Sequence, residues 1–115
     1  MRALTLGLLA GVFLAAAPAA FAADNPAQVQ HGHDVFQLWC AACHGPGPGH
    51  PGSDALAAKY KGAKPGLLEE RRDLTPDQVH FFVRHGVSIM PFFRKTEITD
   101  ADLDALGAYL ARRKR

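Results

Sequence analysis

Five consecutive residues, Cys40-Ala41-Ala42-Cys43-His44, constrain this chain more than any other stretch. Two thiols three positions apart with a histidine directly behind them form the pattern that attaches a c-type haem. Each thiol adds to one of two vinyl groups on neighbouring edges of a porphyrin, and a histidine just beyond the second link reaches the iron. The motif therefore predicts one covalent haem c, held by Cys40 and Cys43, with His44 as an axial ligand. Two other chemistries use C-x-x-C. A thioredoxin-like redox pair would require a βαβ setting, and no strand pattern surrounds the motif. Half of a zinc site would require two further ligands, drawn from His31, His33, His50, His80 and His85.

The first 23 residues carry one charge, Arg2, then an apolar run from Ala3 through Ala17, Pro18, and the small-residue triplet Ala20-Phe21-Ala22. This is the layout of an export signal cleaved after Ala22 or Ala23. A retained anchor is the alternative, because Ala3 to Ala23 is uncharged and long enough to span a bilayer. Export to a bacterial periplasm agrees with the haem motif, whose thiols meet the cofactor beyond the membrane. Residues 1–23 are thus expected to be a signal peptide and residues 24–115 a single domain. With 13 Lys and Arg against 11 Asp and Glu, nothing suggests nucleic acid, and no membrane association is expected after cleavage. A domain this small buries a modest core. Enclosing about 400 Å² of porphyrin would contribute on the order of 10 kcal/mol.

The remaining signals are helical. Asn25 followed by Pro26 reads as a cap and a first-turn proline, opening a helix over about 27–39 with Gly32, Val35, Phe36 and Trp39 on one side. Gly45 to His50 is a loop by composition. Ser53 is positioned to cap a short helix through Tyr60, and Pro65 to open another through Arg71. Thr75-Pro76-Asp77-Gln78 is a capping box, with Leu74 and Val79 in the staple positions and Gly86 as the stop. Thr99-Asp100-Ala101-Asp102 repeats the box, Ile98 and Leu103 repeat the staple, and Leu103, Leu106 and Leu110 form the buried stripe. The closing Arg112-Arg113-Lys114-Arg115 reads as a dipole-favoured helix end, with a membrane or partner contact as the alternative. These signals give an all-α chain of four to five helices with no repeats and no strands.

An electron carrier needs a second strong axial ligand, and a thioether there raises the potential while excluding small molecules. Beyond the signal, Met90 is the only methionine. It lies in Gly86-Val87-Ser88-Ile89-Met90-Pro91, between a helix stop and a proline. His80 and His85 are the rival ligands, but both fall within the preceding helix. A haem enzyme such as a peroxidase would need an open sixth site beside an acid-base residue. A thiol oxidoreductase would instead use Cys40 and Cys43 as its redox pair.

From about Ala27 to Arg112 the chain resembles the class I cytochromes c. The resemblance rests on C-x-x-C-H after a first helix, a methionine and proline on a loop, and a closing amphipathic helix. It extends to Gly32 and Phe36 before Cys40 and to Leu106 and Tyr109 in the last helix, which in that family meet where the terminal helices cross. It implies the class I fold, a single-electron carrier without catalysis of its own, and redox partner proteins. It also implies that a proline carbonyl after the histidine orients the ring, for which Pro51 is the nearest match. Electrons would pass at a porphyrin edge near Ala41, Ala42, the Gly45–Gly52 loop and Met90. Phe92 and Phe93 would form a docking patch or close the pocket. Arg84, Arg94 and Lys95 would be propionate contacts, partner contacts or solvated charges. Within the class, the stretch from Lys59-Tyr60-Lys61-Gly62 to Met90-Pro91-Phe92-Phe93-Arg94-Lys95-Thr96-Glu97 is similar to the cytochrome subunits of 4-cresol and eugenol hydroxylases. That similarity implies a flavoprotein dehydrogenase subunit as electron donor.

Overall fold

The structure, a computed structural model, describes residues 25–112. The signal segment and the last three residues of the basic tail lie outside the described residues. Five α-helices follow in order: α1 Pro26–Trp39, α2 Ala41–His44, α3 Pro51–Tyr60, α4 Pro76–His85 and α5 Asp100–Ala111, with a 3₁₀ turn at Leu68–Glu70. Among the described residues the one β feature is an isolated bridge between Val87 and Met90. The described residues are thus all-helical, as the resemblance implies.

The caps form where the local chemistry requires them. Asn25 accepts from the Ala27 amide at 3.1 Å, satisfying a donor that the helix cannot pair internally. Both capping boxes close reciprocally, Thr75 with Gln78 and Thr99 with Asp102. Ile98 and Leu103 are fully enclosed, and Leu74 packs on the core cluster that holds Val79. Two expectations need correction. Helix α3 is capped by His50 with Pro51 in its first turn, because a proline at that position already has helical φ and no amide to satisfy. Ser53 lies inside the helix, buried, and donates to the Gly45 carbonyl at 2.9 Å. The segment after Pro65 makes only the short 3₁₀ turn, with no side-chain cap at Leu67. Gly66 leaves little room for a helix there: a Cβ on it would fall 2.8 Å from the Ser53 carbonyl and 2.9 Å from Ala57 Cβ.

Helices α1 and α5 cross at Gly32. A Cβ there would lie 2.0 Å from the Ala105 carbonyl oxygen and 2.7 Å from Tyr109 Cβ, so only glycine allows the approach. Around it Phe36, Leu106 and Tyr109 are buried, with the Phe36 and Tyr109 rings 5.9 Å apart. The contact implied by the resemblance is therefore present, with Ala105 its closest point. Tyr109 also donates its hydroxyl to Glu69, tying the 3₁₀ turn to α5. Burial, and then that bond, push its phenol up to about 12.

Candidate haem site

Between α2 and α3 on one side and α4 with the 86–93 loop on the other lies a cavity of about 600 Å³. That is within the range of pockets that enclose a small organic ligand. Cys40, Cys43, His44 and Met90 all line it, as do Trp39, Leu68, Val79, Phe82, Val83, Leu106 and Leu110. The chain brings together residues 46 or more positions apart through two local devices.

The first is a change of direction at Cys40. The amide of Cys40 closes α1 on the Phe36 carbonyl at 2.9 Å, and its own carbonyl accepts from Cys43 at 3.0 Å and His44 at 2.8 Å. The motif thus forms a one-turn helix of its own, which places the second thiol and the histidine together. His44 is backed by Gly52, where a Cβ would fall 2.6 Å from its Cε1 and 2.8 Å from its Nδ1. A side chain at 52 would push the ring out of place. Burial holds the His44 imidazole below its ordinary pKa, keeping it in the neutral form that ligates metal.

The second device presents Met90. Val87 and Met90 exchange amide bonds at 3.1 and 2.9 Å, and the Phe93 amide donates to the Val83 carbonyl at 2.8 Å. Arg84 fastens the far end of the loop: Nη1 donates to the carbonyls of Phe93 at 3.1 Å and Ile98 at 2.9 Å, and Nη2 to Asp100 at 2.9 Å. Its role is structural, because every one of these bonds stays within the loop and its anchors. Arg94 pairs with Glu97 and Lys95 with Asp100 at the surface. Phe93 lines the cavity and meets Trp39 edge-on at 5.9 Å. Phe92 points away, 61% exposed.

The residues fit a porphyrin. Most of the wall is apolar, two thiols and an imidazole share one side, and a thioether comes from the other. Phe82, Val87 and Ile89 line the cavity with large exposed apolar surfaces, Ile89 at 79%. One buried polar atom, His44 Nδ1, has no hydrogen-bond partner. The Pro51 carbonyl does not serve it, in contrast to what the resemblance implies, because Pro51 is taken into the first turn of α3. The buried, unpartnered atom marks the His44 ring as a group whose pairing the protein alone does not complete.

The competing chemistries find less support. His80 and His85 have an H-x₄-H spacing, yet neither lines the cavity. His80 pairs with Asp104 at 3.1 Å, while His85 donates to the Phe81 carbonyl at 2.7 Å and stacks on the Phe81 ring at 4.4 Å. Among the described residues no group of three or more His, Cys, Asp or Glu is placed to hold a metal ion. Burial, reinforced by the neighbouring Cys43, pushes the Cys40 thiol up to about 12. A thiol raised this far is protonated at neutral pH and is not itself the attacking thiolate of a redox pair.

Sequence reasoning missed a polar cluster on the cavity wall, formed by Tyr60, Lys64, Arg71 and Asp73. The usable signal was Arg71-x-Asp73 in an extended segment, where alternate residues share a face. Reading Arg71 as a helix end hid that signal.

Residues 27–110 match the family model described as cytochrome c oxidase, cbb3-type, subunit III. Cytochrome c6 of Thermostichus vulcanus is 33% identical over 99 residues, covering 86% of this chain and 79% of that protein. Cytochrome c6 of Cyanidioschyzon merolae is 29% identical over 84 residues, 73% of each chain. No solved structure gives a significant match. With the helical fold, the C-x-x-C-H turn and these matches together, the chain belongs to the class I c-type cytochromes, electron-transfer proteins that carry covalently bound haem.

Proposed function

We propose that this is a monohaem carrier of single electrons, working in the bacterial periplasm between a dehydrogenase and an acceptor. Residues 1–23 direct export and are removed after Ala22 or Ala23, leaving residues 24–115 as one cytochrome domain. Cys40 and Cys43 would hold the haem through thioether links, and His44 and Met90 would be the ligands to its iron. The observation that carries this reading is a single cavity lined by all four residues. No helix among the described residues is long and apolar enough to cross a membrane.

The bound haem supplies an iron centre that gains and loses one electron. The protein's part is to keep its own atoms still while that happens. Gly52 and the buried position of His44 fix the imidazole, the Val87–Met90 bridge fixes the thioether, and Arg84 fixes the loop behind it. Residues held in this way would not need to move when the group they hold changes its charge by one electron. Val79, Val83, Leu106 and Leu110 keep water from the cavity and lower the local dielectric. Met90 on the cavity wall offers a ligand at the site that a peroxidase leaves open, which favours a carrier over a peroxidase.

The flavoprotein donor rests on the stretch from Lys59 to Glu97, which resembles hydroxylase cytochrome subunits. Recovery of the protein from periplasm with a stoichiometric flavin-containing companion supports that donor, and recovery alone supports a free shuttle. The ligand assignment is tested by Met90→Ala. It is expected to abolish the sulfur-to-ferric-iron charge-transfer band and to open the reduced protein to carbon monoxide. An unchanged band, or rapid carbon monoxide binding by the parent, overturns the assignment.

A further inference from the structure

Ser88 lies in the left-handed backbone region, at φ 54°, and among the described residues one other non-glycine does so, Lys61 at φ 48°. Lys61 closes α3, an ordinary place for that conformation, with its amide on the Ala57 carbonyl at 2.9 Å. Ser88 closes no helix. It is the first of two residues, Ser88 and Ile89, in the tight turn that bridges Val87 to Met90. A two-residue turn with positive φ at its first central position is of the II′ kind. Glycine favours that position, because a Cβ there crowds the following carbonyl oxygen.

The crowding has nowhere else to relax. On one side the Gly86 amide donates to the Phe82 carbonyl at 2.7 Å, and on the other the Phe93 amide donates to the Val83 carbonyl at 2.8 Å. Arg84 fastens the Phe93 end a second time. Gly86, at φ 69°, leaves room for the turn to fold back, since a Cβ on it would lie 2.6 Å from the Met90 carbonyl oxygen. The Ser88 hydroxyl has no hydrogen-bond partner among the described residues. No local bond of the kind that steadies Asn or Asp in this conformation therefore offsets the cost. Ile89 beside it is 79% exposed, so little protein packs over the turn. The strain is confined to residues 87–90, and its relief rotates the peptide units that carry Met90.

We propose that Ser88 is a positioning residue for Met90, and that the strain of keeping a side chain in its left-handed turn makes the Met90 loop a sprung gate over the sixth site of the haem iron. The inference rests on the reading of Met90 as axial ligand and adds what sets the ease with which that ligand leaves. Glycine at position 88 would make the same turn relaxed, with a slower gate. A β-branched side chain would load the turn further.

The test uses holoprotein carrying Ser88→Gly, Ser88→Asn, Ser88→Ala or Ser88→Val. Saturating imidazole enters the ferric sixth site only as fast as the loop opens, so stopped-flow absorbance reads the gate directly. Ser88→Gly is expected to lower the opening rate about threefold and Ser88→Val to raise it about tenfold. Ser88→Asn should fall between the glycine variant and the parent, and Ser88→Ala should stay close to the parent. The sulfur-to-ferric-iron band should persist in the glycine, asparagine and alanine variants. Rates that follow loss of the hydroxyl, with Gly, Ala and Val all faster than the parent, overturn the proposal and make Ser88 a side-chain contact. Equal rates in all four variants overturn it as well. Should Ser88→Val fail to fold, Ser88→Gly decides, since a rate equal to or above the parent's contradicts the inference. The parent's own spectrum separates the two levels. A parent that shows the band, with variant rates unmoved, sinks only this inference, and a parent without the band sinks the Met90 assignment beneath it.

Discussion

Where α1 crosses α5, the side chains of Phe36 and Leu103 are closed off by protein alone and neither lines the cavity. Across the molecule, Phe82, Val87 and Ile89 border the cavity with much of their surface uncovered by protein. The first region is complete in its own side chains, while the second is shaped around a guest. The chain thus divides into a self-sufficient crossing and a cofactor-dependent face, and their local stabilities should differ accordingly.

The sharpest way to separate the two regions is the double variant Cys40→Ala, Cys43→Ala, which removes the covalent links. It is expected to cost on the order of 10 kcal/mol of stabilisation relative to the holoprotein. Hydrogen exchange should then show residual protection in α1 and α5 and near-unfolded rates in α3 and residues 86–93. Equal melting of variant and parent would erase the distinction. Gly32→Ala attacks the other region. Its Cβ meets backbone at 2.0 Å, so a loss of about 3 kcal/mol is expected, at the upper end for overpacking, with covalent haem retained. Calorimetry together with haem content checks both halves of that statement.

Gly52→Ala presses the His44 ring instead and should cost about 2 kcal/mol, with a perturbed Soret band that Gly32→Ala lacks. Arg84→Gln strips three donors from the Met90 loop and should cost about 1–2 kcal/mol. The same variant should raise the carbon monoxide on-rate by freeing the loop. The smallest effect concerns acid. Thr99, and then His31, hold the Asp102 carboxyl below its ordinary value. A depressed carboxylate stabilises the fold above its unfolded pKa of about 4, and that stability is lost as pH falls through the lower folded value. Asp102→Asn should flatten that acid limb in a pH series of melting temperatures, with the cavity spectrum unaltered.

What the sequence made readable follows the range of the interactions involved. The caps at Asn25, Thr75 and Thr99, the Ile98 and Leu103 staple and the Leu103, Leu106 and Leu110 stripe depend on neighbours within a few residues, and these formed as expected. The convergence of Cys40, Cys43, His44 and Met90 on one cavity was readable because haem chemistry itself fixes the spacing of the first three. Ser53 misled because two signals competed, and Pro51, already in helical φ, set the start of α3. The predicted helix after Pro65 failed because Gly66 is pressed against Ser53 and Ala57, a tertiary contact that no local pattern reports. Arg84 looked like a free cation, and only the folded loop shows its donors turned onto the Phe93 and Ile98 carbonyls. Arg71 stayed hidden for the same reason, since its enclosure depends on Tyr60 and Lys64 arriving from another segment.

The most direct measurement is the intact mass of the protein after expression alongside the haem-attachment machinery, combined with titration of its thiols. The expected product is the chain from about residue 24 plus one haem, with Cys40 and Cys43 both unreactive. A colourless chain with two free thiols would contradict the central claim that one covalent haem completes the cavity face.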